Sequence, residues 1–126
     1  MKKLTTIISA VMALGLGTSA SAQVNLTAET ASPSSAPGVS VIALSEAAAK
    51  YNVANMQVTT GQTLTNSVQN VAEGKSDVAA APFVLPFLLS RAVGPYAKVG
   101  KEKGAELASQ LAVLYTYRIA CQGLYA

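Results

Sequence analysis

Apolar and polar residues alternate from Gln23 to Thr30, with Val24, Leu26 and Ala28 on one side and Asn25, Thr27 and Glu29 on the other. A period of two marks a strand with one buried face, so a first strand is expected over Gln23–Thr30. Turn chemistry follows in Ala31-Ser32-Pro33-Ser34-Ser35-Ala36-Pro37-Gly38. Its prolines stiffen the chain, and its hydroxyls and free amides offer hydrogen bonds. The period then lengthens. Val41, Leu44, Ala48 and Tyr51 recur at spacings of three and four, one apolar stripe of a helix over Val39–Tyr51. Ser45, Glu46 and Lys50 take the other side, with Glu46 four residues ahead of Lys50 in the stabilising order. Pro37 sits near the helix start, where a missing N–H costs little.

The same pattern repeats. Asn52–Asn55 reads as a turn, Met56–Thr60 as a second strand, and Gly61-Gln62 breaks it. A second helix is expected over Thr63–Glu73, with Leu64, Val68 and Val71 inward. In its first turn Thr63, Thr65 and Asn66 can cap free amides or hydrogen-bond a ligand. Gly74 is the expected left-handed stop, and Asp77–Ala81 begins a third strand, apolar as strands covered on both faces are. The apolar stretch Pro82–Leu89 is too short and proline-interrupted to span a bilayer, and predicts a loop into a short buried helix ending near Ala92. Val93–Tyr96 reads as a turn and Gly100–Gln110 as a helix with Ala105, Leu107, Ala108 and Leu111 inward. Ala112–Ile119 reads as a fourth strand, on which Tyr115 and Tyr117 share a face.

The order β-α-β-α-β-α-α-β, with short connections, predicts an α/β fold with a mainly parallel sheet and helices on both faces. In such sheets ligands lie beyond the carboxyl ends of the strands. Three polar turns belong at that edge: Ala31–Gly38, Thr60–Thr63 and Ala81–Val84. The candidate ligand-binding residues are Ser32, Ser34 and Ser35 in the first turn, Gly61, Gln62, Thr63 and Asn66 in the second, and Pro82 and Phe83 in the third.

Composition then narrows the chemistry. The chain has no histidine and a single cysteine, Cys121. A Ser or Cys triad with a His base is therefore excluded, as is metal ligation by imidazole. No hydroxyl has an activating base beside it, and Asp77, just after a helix stop, reads as capping the turn. Binding is the expected activity, not bond-making, with no catalytic residue, no metal and no cofactor. One cysteine allows no internal disulfide; Cys121 reads as a buried thiol, with Arg118 its nearby cation.

Met1-Lys2-Lys3, the apolar run Leu4–Leu16 and Ala20-Ser21-Ala22 match a secretory signal cleaved after Ala22. The run is about 13 residues, against roughly 20 needed to cross a bilayer. A periplasmic mature chain, Gln23–Ala126, is expected. Removing Lys2 and Lys3 leaves seven basic residues against six acidic ones. No basic cluster is interleaved with aromatics, so nucleic acid is not an expected partner. Lys98, Lys101 and Lys103 are diluted by Glu102 and Glu106 and read as a solvated helix start, and Arg91 and Arg118 are the arginines available to pair a carboxylate.

The segment Val58-Thr59-Thr60-Gly61-Gln62-Thr63 with Asn66, followed by Val71-Ala72-Glu73-Gly74-Lys75-Ser76-Asp77-Val78-Ala79, resembles a known family. It is similar to the periplasmic substrate-binding receptors of tripartite ATP-independent (TRAP) transporters, in the TAXI subfamily. Ala43-Leu44-Ser45-Glu46, the export signal and the order of elements agree, and the resemblance runs from about Leu26 to Tyr125. It implies a lobe of the type II periplasmic-binding-protein kind. In that family two lobes close around a small organic acid or amino acid, which is delivered to membrane permease subunits. The family's first loop is usually glycine-rich and followed by aromatics, whereas here it is the Ser/Pro loop Ala31–Gly38. Such receptors are roughly two to three times as long, at a typical domain size per lobe. The chain is therefore expected to be an N-terminal lobe, with the second lobe absent. The binding lobe of an ATP-driven uptake system, a sensor's ligand domain and a non-functional fragment are the alternatives.

Overall fold

The computed structural model describes residues 23–117. The signal sequence expected over 1–22, the last two residues of the expected fourth strand (Arg118 and Ile119) and Cys121 lie outside the described residues. The elements are β1 (Val24–Glu29), α1 (Ala36–Lys50), β2 (Ala54–Thr59), α2 (Leu64–Ala72), β3 (Val78–Ala79), α3 (Val84–Arg91), a 3-10 turn over Gly94–Tyr96, and α4 (Lys101–Ser109). The strands form a parallel sheet in the order β2-β1-β3, with Leu26 opposite Met56 and Ala28 opposite both Val58 and Val78. Helical crossovers join the strands, as parallel pairing requires. The fold is α/β.

The alternation along β1 decides the layers. Leu26 and Ala28, with Ala54, Met56, Val58, Val78 and Ala80, meet Val41, Leu44 and Ala48 of α1 in a first core. Val41 is almost wholly buried there, a transfer worth about 1.5–3 kcal/mol. Ser45, expected on the solvent side of α1, instead donates to the Met56 carbonyl at 3.2 Å and ties the helix to the edge strand.

The opposite face of the sheet is covered only near β3. There Asn70 of α2 donates to both carboxylate oxygens of Glu29 at 3.1 Å. Asn25, Thr27, Asn55, Gln57 and Thr59 on that face are exposed. Helices on both faces were expected across the sheet, but this polar part has no apolar surface for a helix to bury. A second core gathers Val68 and Ala72 of α2, Leu89 of α3, Leu107 of α4 and Tyr96 of the 3-10 turn.

Several expectations are corrected. Among the described residues no fourth strand forms: residues 111–117 have no regular structure, and Val113 and Leu114 are exposed. A strand needs a ladder partner: β3 offers only two residues, and the open edge of β2 pairs with nothing among the described residues. Instead the Tyr115 hydroxyl lies 3.2 Å from the Ser40 hydroxyl of α1, with the Tyr115 and Tyr117 rings 6.0 Å apart. The second strand starts earlier than expected, at Ala54, because Asn52 takes the left-handed conformation (φ 54°) and turns the chain within two residues. The first helix begins at Ala36, so the turn before it is shorter than the eight residues expected. Tyr51 is the residue after α1 and is exposed, with the Lys50 ammonium over its ring. In α4 the inward position belongs to Gly104 rather than Ala105, since a Cβ at 104 would collide with the Leu89 carbonyl oxygen. The helix read as buried, α3, is buried only along Leu89; Val84, Phe87 and the preceding Phe83 are exposed.

Candidate solute-binding edge

Parallel strands end at one edge, and there the backbones of the first two loops are fastened together. Thr30 N–H donates to Thr59 O, Gln62 N–H to Thr30 O and Gly61 N–H to Ala31 O, each at 3.0 Å. Gly61 sits at φ +82°, a conformation glycine adopts without the penalty a Cβ brings. The convergence expected of these two turns is thus present.

The first loop spends its polar groups on itself. Ser35 is the N-cap of α1: its hydroxyl accepts the Gly38 N–H at 3.2 Å and donates to the Ser32 carbonyl at 2.6 Å. The hydroxyls of Ser32 and Ser34 lie 3.0 Å apart. Gly38 is buried where a Cβ would collide with the Ser32 carbonyl oxygen, which holds the loop close against the helix. Pro37, in the first turn, has no N–H to offer. Of the three serines, Ser35 is therefore a cap rather than a free ligand group.

The start of α2 is different. Thr63 is its N-cap in backbone terms, yet no side chain caps the helix. The Thr65 hydroxyl points to the Thr63 hydroxyl at a long 3.4 Å. The first amides of α2, those of Leu64, Thr65 and Asn66, thus end the helix without a side-chain acceptor, at the positive end of its dipole. Thr63 and Asn66 expose their side chains beside them. Thr30 adjoins this start, because its carbonyl holds Gln62, the residue before the N-cap. Its side chain is fully buried, and its hydroxyl has no hydrogen-bond partner among the described residues. Leaving such a hydroxyl unpaired costs about 1–3 kcal/mol, and the great majority of buried polar atoms are paired.

Pro82 and Phe83 follow β3 at the same edge but are exposed and make no hydrogen bond to the other two loops; the Pro82 carbonyl accepts Leu85 N–H as α3 begins. Arg91 lies at the other end of α3, an eight-residue helix about 12 Å long, with its guanidinium over the Phe87 ring. Among the described residues, what the edge offers an anion is therefore amides and hydroxyls, not an arginine.

Asp77 does not cap the turn before β3. Its carboxylate accepts the Thr27 N–H at 2.7 Å and the Thr27 hydroxyl at 2.9 Å, and these bonds hold it below the usual carboxylate range. Among the described residues no three acidic, Cys or His side chains cluster as metal ligands, and no helix is long and apolar enough to cross a membrane. No family model, no curated protein and no solved structure matches the chain.

The geometry keeps Ser32, Ser34, Gly61, Gln62, Thr63 and Asn66 on the two joined loops, apart from Pro82 and Phe83. It adds Thr30 and the first amides of α2. Thr30 was missed because nothing local separates it from the polar residues of β1 that precede it; its burial depends on the finished fold. The usable signal is its place as the last residue before the turn on the central strand.

Proposed function

We propose that this chain is a lobe of an exported solute receptor. It captures a small organic anion or amino acid at the start of α2, for delivery to the membrane permease of a TRAP-type transporter. One observation carries the reading: the first turn of α2 has no side-chain cap, and it follows Gln62, whose N–H is held by the carbonyl of Thr30, a residue with a buried hydroxyl that has no partner among the described residues. A carboxylate accepts hydrogen bonds and favours a helix N-terminus, so it would satisfy the free amides there. The Val58–Ala79 segment, similar to the TAXI receptors, supplies the transport context, and the signal-like N-terminus supplies the export. A receptor of this kind completes its site by closing a second lobe. One lobe alone therefore holds solute weakly, with a dissociation constant on the order of millimolar.

The test is an NMR titration of the chain with monocarboxylates, dicarboxylates and amino acids, following backbone amides. Saturable shifts confined to Gly61 through Ser67 and to Thr30 are expected. A panel that leaves these amides unmoved at tens of millimolar would falsify the reading.

A further inference from the structure

The outer side of α3 carries a patch that the solute reading does not use. Phe83, Val84 and Phe87 are 66, 52 and 57 % exposed, and Val93, just after the helix, is 42 % exposed. Phe87 lies four residues from Phe83 and three from Val84, so the three share one helical face. Between Phe87, Val93 and the start of α4 is an open depression of about 550 Å³, lined by Phe87, Ser90, Arg91, Val93 and Lys101. The Ser90 hydroxyl is turned back to the Phe87 carbonyl at 2.7 Å, so the polar character of the depression comes from its two cations. The Arg91 guanidinium lies 5.5 Å from the centre of the Phe87 ring, which keeps the charge on the apolar floor. The ion pairs among the described residues are Lys75–Glu73 and Lys103–Glu106; neither Arg91 nor Lys101 takes part in one.

We propose that this depression docks a segment of a partner protein that combines apolar side chains with Asp or Glu. The apolar side chains cover Phe87 and Val93, and the carboxylates pair with Arg91 and Lys101. Contiguous exposed apolar residues mark interaction surfaces, and aromatic residues with arginine are enriched where such surfaces bind. Charge complementarity sets the sign of the partner: two cations with no ion pair among the described residues, beside an apolar floor, call for carboxylates, and guanidinium can take one in two parallel bonds. A depression between two helices fits a laid-in segment better than a bilayer. A helix that lies on lipid also needs a charged face opposite its apolar one, and the inner side of α3 is packed in the core. This inference is independent of the solute reading, since the depression is lined by none of the residues at the start of α2.

The experiment measures fluorescence anisotropy of labelled peptides against the full chain. The probes are a peptide of Leu and Glu, a Leu and Lys counterpart, and a Ser and Glu counterpart, with phosphatidylglycerol vesicles in parallel. The Leu–Glu peptide is expected to bind, to weaken with added salt, and to outbind both counterparts. Phe87→Ala and Arg91→Ala should each weaken it roughly tenfold or more, as truncated anchor residues do. Arg91→Glu with Lys101→Glu should switch preference to the Leu–Lys peptide. These side chains are exposed, and unchanged circular dichroism checks that the fold is kept. No Leu–Glu binding, equal binding of the Leu–Lys peptide, or an affinity indifferent to the charge swap overturns the proposal. Binding to the vesicles without binding to the peptide also overturns it, and assigns the patch to lipid.

Discussion

The Asp77 side chain completes the ladder between β3 and β1 through Thr27. Its Oδ2 accepts the Thr27 N–H at 2.7 Å and the Thr27 hydroxyl at 2.9 Å, while its own N–H donates to the Thr27 carbonyl at 3.0 Å. The Ser76 hydroxyl reaches the same carbonyl at 3.3 Å. Because β3 has only two ladder residues, a side chain does the pairing that a longer strand would do with its backbone. Asp77 therefore has a structural occupation.

That contact makes stability depend on pH in a defined direction. The Thr27 N–H, then the Thr27 hydroxyl, lower the Asp77 pKa in the folded chain. A carboxylate with a depressed folded pKa contributes stability that is complete above its unfolded value, about 4, and is lost as pH falls through the lower folded value. Asp77→Ala should lower the melting temperature at neutral pH, and the gap to the parent chain should shrink in acid below about pH 4. Thermal melts across that range check it. A gap that stays constant into strong acid would mean that the charge plays no part.

Gly104 tests which of two opposing effects wins inside α4. Helix propensity alone favours alanine over glycine by about 1 kcal/mol. A Cβ at 104, however, would collide with the Leu89 carbonyl oxygen and come within 3.3 Å of the Ala92 Cβ. Forcing extra volume into a packed contact costs about 1–3 kcal/mol. Gly104→Ala should therefore destabilise the chain in urea unfolding, against propensity. At the exposed neighbour Ala105, Ala→Gly should cost about 1 kcal/mol by propensity alone. If Gly104→Ala is the more stable chain, α3 and α4 do not pack this closely.

Tyr96 joins the 3-10 turn to α2 by donating its hydroxyl to the Thr65 carbonyl at 2.9 Å, with its ring 1 % exposed. Tyr96→Phe keeps the ring and removes the bond, for a loss of about 0.5–1.5 kcal/mol. Burial raises the Tyr96 pKa, so its contribution is complete below the unfolded value near 10 and is lost as pH rises through the higher folded one. Alkaline unfolding should therefore be less steep in Tyr96→Phe. An identical alkaline limb in both proteins places this ring in solvent.

Much of this architecture was legible because its signals are local. The alternation through Leu26 and Ala28 and the stripe Val41–Leu44–Ala48 each describe one face, and those faces meet in the first core, while Val24 at the start of the strand is exposed. The misreadings share a cause: hydropathy reports what a residue is, not what is available to cover it. Val113 and Leu114 look like strand residues, but neither open edge of the sheet, the two-residue β3 or the six-residue β2, pairs with them. Phe83, Val84 and Phe87 look like core, yet α3 turns only Leu89 fully inward. Tyr96 reads as turn, and is a core ring with a satisfied hydroxyl. At the edge, the turns were legible from topology. Which hydroxyls were free was not, because Ser35 capping α1 and Thr30 lacking a partner depend on bond geometry.

Thr30 offers the sharpest separation of fold from function. Valine matches threonine in shape and lacks only the hydroxyl, which has no partner among the described residues. Removing an unpaired buried hydroxyl relieves a cost of up to about 1–3 kcal/mol, so Thr30→Val should leave urea stability unchanged or raise it. If the hydroxyl meets solute, the same change should weaken carboxylate binding roughly tenfold, equivalent to about 1.4 kcal/mol. Asn66→Ala, at an exposed position of the same helix start, should weaken binding with little effect on stability. The two readouts for Thr30→Val are thus expected to move in opposite directions. A loss of stability would show that the hydroxyl has a structural partner. Unchanged affinity would remove Thr30 from the site and leave the amides of α2 to hold the anion alone.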